Sequence, residues 1–354
     1  MCGVKWRWVV LIVALGAGPM VSAGGQGEVP DPDAIIVAAA GGPETLDPAW
    51  AHDTASAEVI FNVYETLIFP SGTGFEPLLA TEVPSQENGL IRVAADGTAY
   101  VTFPIRRGVR FSNGDPLTPE DVVYSFERLL IQDRAGGPAW MLLGPILGVD
   151  SWMEFVEGVA AELGLEEQYE GDLEDFDPRD PDTYTETMRR VDVEAFDRMA
   201  HHFRIAGHSV TIQLERPAGY FLATLVGSWA AVLDREWVAE QGGWDGSAET
   251  WHFHHDPAAE ESPLHDRMMG TGPYRLERWD RGNEIVLVRN DNYWNRDRLA
   301  RTEHVVIKEM VSSWSTRFQM FQRGEADIVE VPLVYVGEVQ PLVEAGEVNL
   351  YGPC

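Results

Sequence analysis

The sequence predicts a mixed α/β (α+β) fold, and three observations carry that reading. Apolar residues alternate with strand period at Val101, Phe103 and Ile105 and again at Val210, Ile212 and Leu214. Ile60, Val63, Tyr64 and Leu67 fall at i, i+3, i+4 and i+7, which is one face of a helix. The two periods are interleaved along the chain rather than segregated, so helices pack on sheets. The chain has 354 residues, 45% hydrophobic and 10% aromatic, enough for two or three domains with real cores. Its 57 acidic residues against 26 basic ones give a formal charge of −31. A field of that sign repels phosphate backbones, so nucleic acid is not expected as a partner. Only Lys5 and Lys308 are lysines, which excludes a Walker A phosphate loop.

Residues 1–23 read as a cleavable secretory signal peptide: Lys5 and Arg7 precede an apolar run from Val9 to Ala17, and Ser22-Ala23 supplies small residues for cleavage. The run is too short to span a bilayer, which needs roughly 20 residues. Cys2 is too early to be a lipoprotein acceptor, so the expected location is periplasmic or otherwise exported, with Cys354 as the one remaining cysteine and no internal disulfide.

A linker over 24–33 leads into a buried strand at Ala34 to Ala40. Asp53 or Thr54 caps the helix that carries Ile60 to Leu67. The strand around Val101 to Ile105 is followed, after a turn, by Val109 and Phe111. Thr118-Pro119-Glu120-Asp121 is the clearest helix start: a capping hydroxyl, proline at the first helical position and two acids at the positive dipole end. Residues 163–182 are dense in Glu and Asp with few apolar anchors and read as a solvated acidic insertion. Tyr274 and Leu276, the turn Asp280-Arg281-Gly282-Asn283 and Ile285 to Val288 form a hairpin. His304 to Ile307 is a strand, and Trp314, Phe318 and Phe321 share a helix face ending at Gly324.

Three patterns imitate chemistry. His252-Phe253-His254-His255-Asp256 could offer imidazoles and a carboxylate to Zn or Ni, although such residues in an acidic loop are common without an ion. The acids of 172–182 lack the glycine and final glutamate of an EF-hand loop. Gly207-His208-Ser209-Val210-Thr211 resembles a nucleophile elbow, but Ser209 opens an alternating strand and Thr211 replaces the second glycine, so a serine hydrolase is the weaker alternative. No cofactor is expected.

Five ordered blocks resemble the family 5 solute-binding proteins of ABC importers, the oligopeptide, dipeptide and nickel-binding group. They are Leu46-Asp47-Pro48 with Asn62-Val63-Tyr64-Glu65-Thr66-Leu67; Pro77-Leu78-Leu79-Ala80 with Asp96-Gly97; Arg106 to Phe126; Gly270-Thr271-Gly272-Pro273-Tyr274 with Tyr293-Trp294; and Gly324-Glu325-Ala326-Asp327-Ile328. The resemblance implies a periplasmic-binding-protein-like, two-lobed fold that encloses a peptide or similar small solute and delivers it to an ABC permease, without catalysis. It implies a first lobe of residues 34–68 and 209–302, an extra domain over 69–208, and a second lobe beginning at 303. Within 303–354 that second lobe would be incomplete, its strand and helix uncovered, so that a second polypeptide completes it or the frame is truncated. The family cleft points to Trp50, His52, Asp53 and Thr54, to Trp140 as a stacking wall, and to Thr271 and Gly272. Structural roles compete for several of them: capping for Asp53 and Thr54, core packing for Trp140, a turn for Thr271 and Gly272. A nickel or metal-chelate carrier using His252, His254 and His255 is the alternative within the same family.

Overall fold

The alternation in Ala99–Pro104 and Ser209–Leu214 becomes two neighbouring antiparallel strands whose inward residues are buried and whose outward ones are not. With Ile91–Val93 and Phe203–Ala206 at the edges they form a four-stranded antiparallel sheet. The computed structural model describes residues 11–14, 34–178 and 180–351, and these fall into two compact units. The sheet just described belongs to the unit built from Pro43–Gly272 and Asn292–Arg296.

In that unit the helix Pro119–Gln132 lies against the sheet, with the Phe126 and Phe203 rings nearly parallel and 6.4 Å apart. Its start follows the expected signature with one change of role. The Asp121 carboxylate takes the Thr118 backbone N–H at 2.8 Å and the Thr118 hydroxyl at 2.7 Å, so the acid closes the turn. Val109 and Phe111 are buried but lie in a loop rather than a strand. Ser209 is the first residue of its strand, paired with Pro104 and Ala206, and not on the strand-to-helix turn an elbow needs.

The acidic insertion is more than a solvated loop. Glu166–Glu174 is helical, and its Tyr169 is fully buried. The Tyr169 hydroxyl donates to Asp192 Oδ1 at 2.7 Å, and Tyr184 donates to Asp192 Oδ2 at 3.0 Å. Asp192 sits on the helix Glu186–Ala200 and is itself fully buried, so two phenols staple the acidic stretch to the body of the unit.

The other unit comprises the described residues 34–42, 273–291 and 297–351 with the short strand Leu11–Ala14. Its seven-stranded sheet runs Val348–Tyr351, Leu11–Ala14, Ile328–Glu330, Ala34–Ala38, His304–Lys308, Glu284–Arg289, Tyr274–Asp280. Ala34–Ala38 is parallel to both of its neighbours, and the last two strands are the expected hairpin, with a bulge between Val286 and Leu287. The helix Trp314–Gln322 packs on this sheet, and Trp314, Phe321, Ala326, Val329, Val331 and Val339 form one buried cluster with Ala38. Two expectations change here. His304–Lys308, expected at the start of a second lobe, pairs along its whole length with Ala34–Ala38 of the expected first lobe. Of the strand and helix expected to lie uncovered, the helix buries Trp314 and Phe321 in this cluster, with Tyr335 stacked on Trp314, while Val305 and Val306 of the strand are half-buried.

Apart from the backbone of Leu11–Ala14, the expected signal peptide 1–23 lies outside the described residues, as do the linker 24–33 and Cys354. Among the described residues no helix is long and apolar enough to cross a membrane.

Candidate functional site

On the Pro43–Gly272 unit, blocks far apart in sequence meet on one carboxylate. Glu65, 4% exposed, accepts from Thr271 Oγ1 at 2.7 Å, the Tyr293 hydroxyl at 2.6 Å and Trp294 Nε1 at 2.7 Å. Arg106 stacks over the Trp294 ring at 4.8 Å. Burial pushes the Glu65 carboxyl above its ordinary range, opposed by the three donors and by the Arg106 charge. Gly272 passes so close to the preceding helix that a Cβ would lie 2.7 Å from the Val63 carbonyl oxygen, which its own N–H meets at 2.9 Å. Thr271 and Gly272 are therefore parts of a brace; Thr271 is fully buried.

The segment after Leu46-Asp47-Pro48 is fixed in a similar way. Asp47 and Arg128 form a two-pronged ion pair, 2.8 and 2.6 Å, with both side chains buried. Ser262 Oγ adds a third bond to the carboxylate. Burial alone would raise the Asp47 carboxyl, but the Arg128 charge and these bonds hold it below the usual range. Trp50 is held down by this arrangement, 7% exposed, its Nε1 donating to the Pro257 carbonyl at 3.0 Å and its ring under the Arg134 guanidinium at 3.2 Å. Asp53 caps the helix Thr54–Val63 by accepting the Ser56 N–H at 2.8 Å, while its Oδ2 is buried without a hydrogen-bond partner. His52 and Thr54 are exposed, and Trp140 is 61% exposed. The structure thus gathers Trp50, His52, Asp53 and Thr54 on one segment, leaves Trp140 on the surface, and places Thr271 and Gly272 inside the Glu65 brace.

The three histidines of the suspected metal cluster go to different partners. His252 Nδ1 meets Asp192 Oδ2 at 2.9 Å, and His255 Nδ1 meets the Ile131 carbonyl at 2.7 Å. Burial, with the Arg128 charge nearby, lowers His254 to about 4. Among the described residues no group of three or more His, Cys, Asp or Glu is placed to hold a metal ion.

The other unit carries a surface that the sequence reading missed. Ala34–Ala38, His304–Lys308 and Ile328–Glu330 run parallel, and ligands of open α/β sheets favour the region outside the carboxyl ends of such strands. There, Ser312, Ser313, Trp314, Phe318, Tyr335 and Glu338 line a groove of about 560 Å³. The Trp314 ring stacks with Phe318 at 5.0 Å and Tyr335 at 5.6 Å, each within 18° of parallel, and Trp314 Nε1 donates to Glu338 at 3.2 Å. Beside it the chain exposes Met310 (62%), Leu333 (56%) and Val334 (83%). Met310 has φ +59°, a left-handed conformation that is costly for a residue with a side chain. Stacked rings, hydroxyls and one carboxylate suit a solute with apolar groups, backbone-like amides and an amino group. The signal available in the sequence was Ser312-Ser313-Trp314-Ser315, a polar and aromatic run at the start of the helix that follows the strand His304–Lys308.

Residues 74–344 match the model of the bacterial extracellular solute-binding proteins, family 5 Middle. The chain is similar to the oligopeptide-binding protein OppA of Bacillus subtilis, 25% identical over 82% of this chain and 42% of that protein. It is likewise similar to the probable D,D-dipeptide-binding periplasmic protein DdpA of Escherichia coli, 24% identical over 90% of this chain and 46% of that one. Among solved structures, Burkholderia pseudomallei OppA matches with TM-score 0.55 at 19% identity, covering 88% of this chain and 49% of that one. Helicobacter pylori DppA, solved with the peptide STSA, matches with TM-score 0.53 at 21% identity, covering 87% and 49%. The chain spans a little under half the length of these relatives. The structural likeness shows the periplasmic-binding-protein-like fold that the sequence predicted.

Proposed function

Since the chain belongs to the bacterial extracellular solute-binding proteins of family 5, we propose that it captures a short peptide or similar small solute outside the cytoplasmic membrane, hands it to an ABC permease, and performs no chemistry on it. The signal-like residues 1–23 support export, and the peptide-binding names of its relatives support the solute class. The observation that carries this reading is the aromatic groove at Trp314, Phe318 and Tyr335, which lies at the strand ends where an α/β sheet presents ligands. Glu338 is suited to an ammonium group at one end of the solute, and the serine hydroxyls to its amides. On the other unit, His52, Thr54 and Trp140 are the accessible candidates for solute contact. Trp50 and Asp53 shape that segment, and Thr271 and Gly272 act by holding the Glu65 brace.

Calorimetry of the full chain with a panel of di- to tetrapeptides tests this. Saturable binding is expected for at least one peptide, about tenfold weaker after Tyr335→Ala, the worth of one stacked ring. A folded chain that binds no peptide, or whose affinity ignores Tyr335→Ala, overturns the assignment.

A further inference from the structure

Arg317 is the fourth residue of the helix Trp314–Gln322 and is 1% exposed, yet it meets no acid. Among the described residues it forms no ion pair, and the Glu330 carboxylate reaches it only as a charge at a distance. Its guanidinium instead donates to three main-chain carbonyls, from Nη1 to Val311 at 2.5 Å and Ser312 at 3.0 Å, and from Nε to Glu330 at a longer 3.4 Å. A cation is costly there on two counts. Neutral carbonyls replace its hydration without cancelling the charge, and the helix turns its positive dipole end toward it. Burial accordingly lowers the Arg317 pKa. Leucine or methionine would fill the same core position at lower cost.

The three carbonyls stand at the entrances to both walls of the groove. Val311 and Ser312 lead into the wall of Ser312, Ser313 and Trp314, and the Val311 N–H is tied in turn to the Ala39 carbonyl at 3.0 Å. Glu330 ends the strand Ile328–Glu330, after which Pro332 begins the wall that carries Tyr335 and Glu338. Trp314 and Tyr335 therefore come from separate elements, yet their rings lie 5.6 Å apart and 17° from parallel, a contact that needs the two walls in register. One planar head with fixed donor directions holds both sides, which a lysine ammonium does not reproduce.

We propose that Arg317 is the positioning residue of this groove: it does not line the groove, and by pinning the Val311, Ser312 and Glu330 carbonyls it holds the Ser312–Trp314 wall and Tyr335 at the spacing the solute requires. This rests on the reading of the groove as the solute site.

Calorimetry of the full chain, well below its thermal transition, tests the clamp with the tightest-binding member of the di- to tetrapeptide panel. Arg317→Gln keeps two N–H donors and removes the charge, while Arg317→Lys keeps the charge and loses the fork. Each should weaken binding about tenfold. Arg317→Gln should melt close to the native chain, because it also removes a costly buried charge, so that affinity falls where stability does not, a split that a merely structural role would not produce. Since Arg317 acts through the placement of Tyr335, Arg317→Gln combined with Tyr335→Ala should bind about as weakly as Tyr335→Ala alone, and not about a hundredfold below native. Arg317→Lys serves if Arg317→Gln does not fold; if neither folds, Arg317 is a residue of stability and the proposal is overturned. A native chain that binds no peptide removes the groove reading and the clamp with it. A native chain that binds, beside variants of unchanged affinity or losses that add to that of Tyr335→Ala, leaves the groove standing and overturns the clamp alone.

Discussion

Arg128→Met is expected to lower stability by about 3–5 kcal/mol, because it leaves the Asp47 carboxylate buried without its counter-charge. The guanidinium supplies both long prongs of the pair, and Ser262 and the Ala49 N–H cannot replace a full positive charge in a site sealed from water. The double change Arg128→Met with Asp47→Leu should recover much of that loss, since a matched apolar pair removes the charge that needed compensation. The pair also sets an acid limit. Asp47 titrates below its unfolded range, so its stabilisation is complete above the ordinary carboxylate pKa of about 4 and disappears as pH falls through the lower folded value. Urea melts at pH 7 and pH 3 check both points: the gap between native chain and Arg128→Met should be wide at pH 7 and narrow at pH 3.

Glu65→Ala is the second change with a large expected effect, about 3–5 kcal/mol, because it removes the acceptor shared by the buried Thr271 and Tyr293 and the half-buried Trp294, at about 1–3 kcal/mol for each lost bond to a buried group. Glu65→Gln should cost far less. Its carbonyl can serve Trp294 and Thr271 while its amide donates to the Tyr293 hydroxyl, which accepts as readily as it donates. The pH dependence runs opposite to that of Asp47. Glu65 is raised by burial, so the stability it contributes is present at low pH and is lost as pH rises through its folded value. The Gln variant lacks that loss, and the gap between it and the native chain should narrow as pH rises from 4 to 8. Thermal melts across that range measure it. A Glu65→Ala chain as stable as the native one would show that the signature blocks are not joined through this carboxylate.

What could be read from the sequence was what is decided locally. The cap at Thr118 to Asp121, the hairpin around Gly282 and the buried alternation of Ser209–Leu214 depend on neighbours a few residues away, and each appears where the pattern put it. The five signature blocks marked the family by order alone. What joins them was not legible, because the Glu65 contacts to Tyr293 and Trp294 span 228 and 229 residues and no periodicity records them. The same limit hid the pairing of the strand at His304: its own alternation says that it is a strand, not that its parallel partner begins at Ala34. The acidic stretch misled for a different reason. Its charge dominated the composition, while the phenols that anchor it on Asp192, Tyr169 and Tyr184, carry no weight in a count of acids. Of the candidate residues, Trp50 to Thr54 were expected together on one segment, and Trp314 with Phe318 on an uncovered helix face; the stack with Tyr335 was not legible, since Tyr335 reaches it from another element.

The central claim is capture without chemistry, and mass spectrometry of what the protein retains tests it most directly. The full chain is incubated with a defined peptide mixture, separated from free peptide by rapid gel filtration, denatured and analysed. The account predicts that one or a few peptides are recovered intact, near one per chain, with no new masses after prolonged incubation. Recovery of cleaved or modified peptides, or of none from a folded chain, would contradict it.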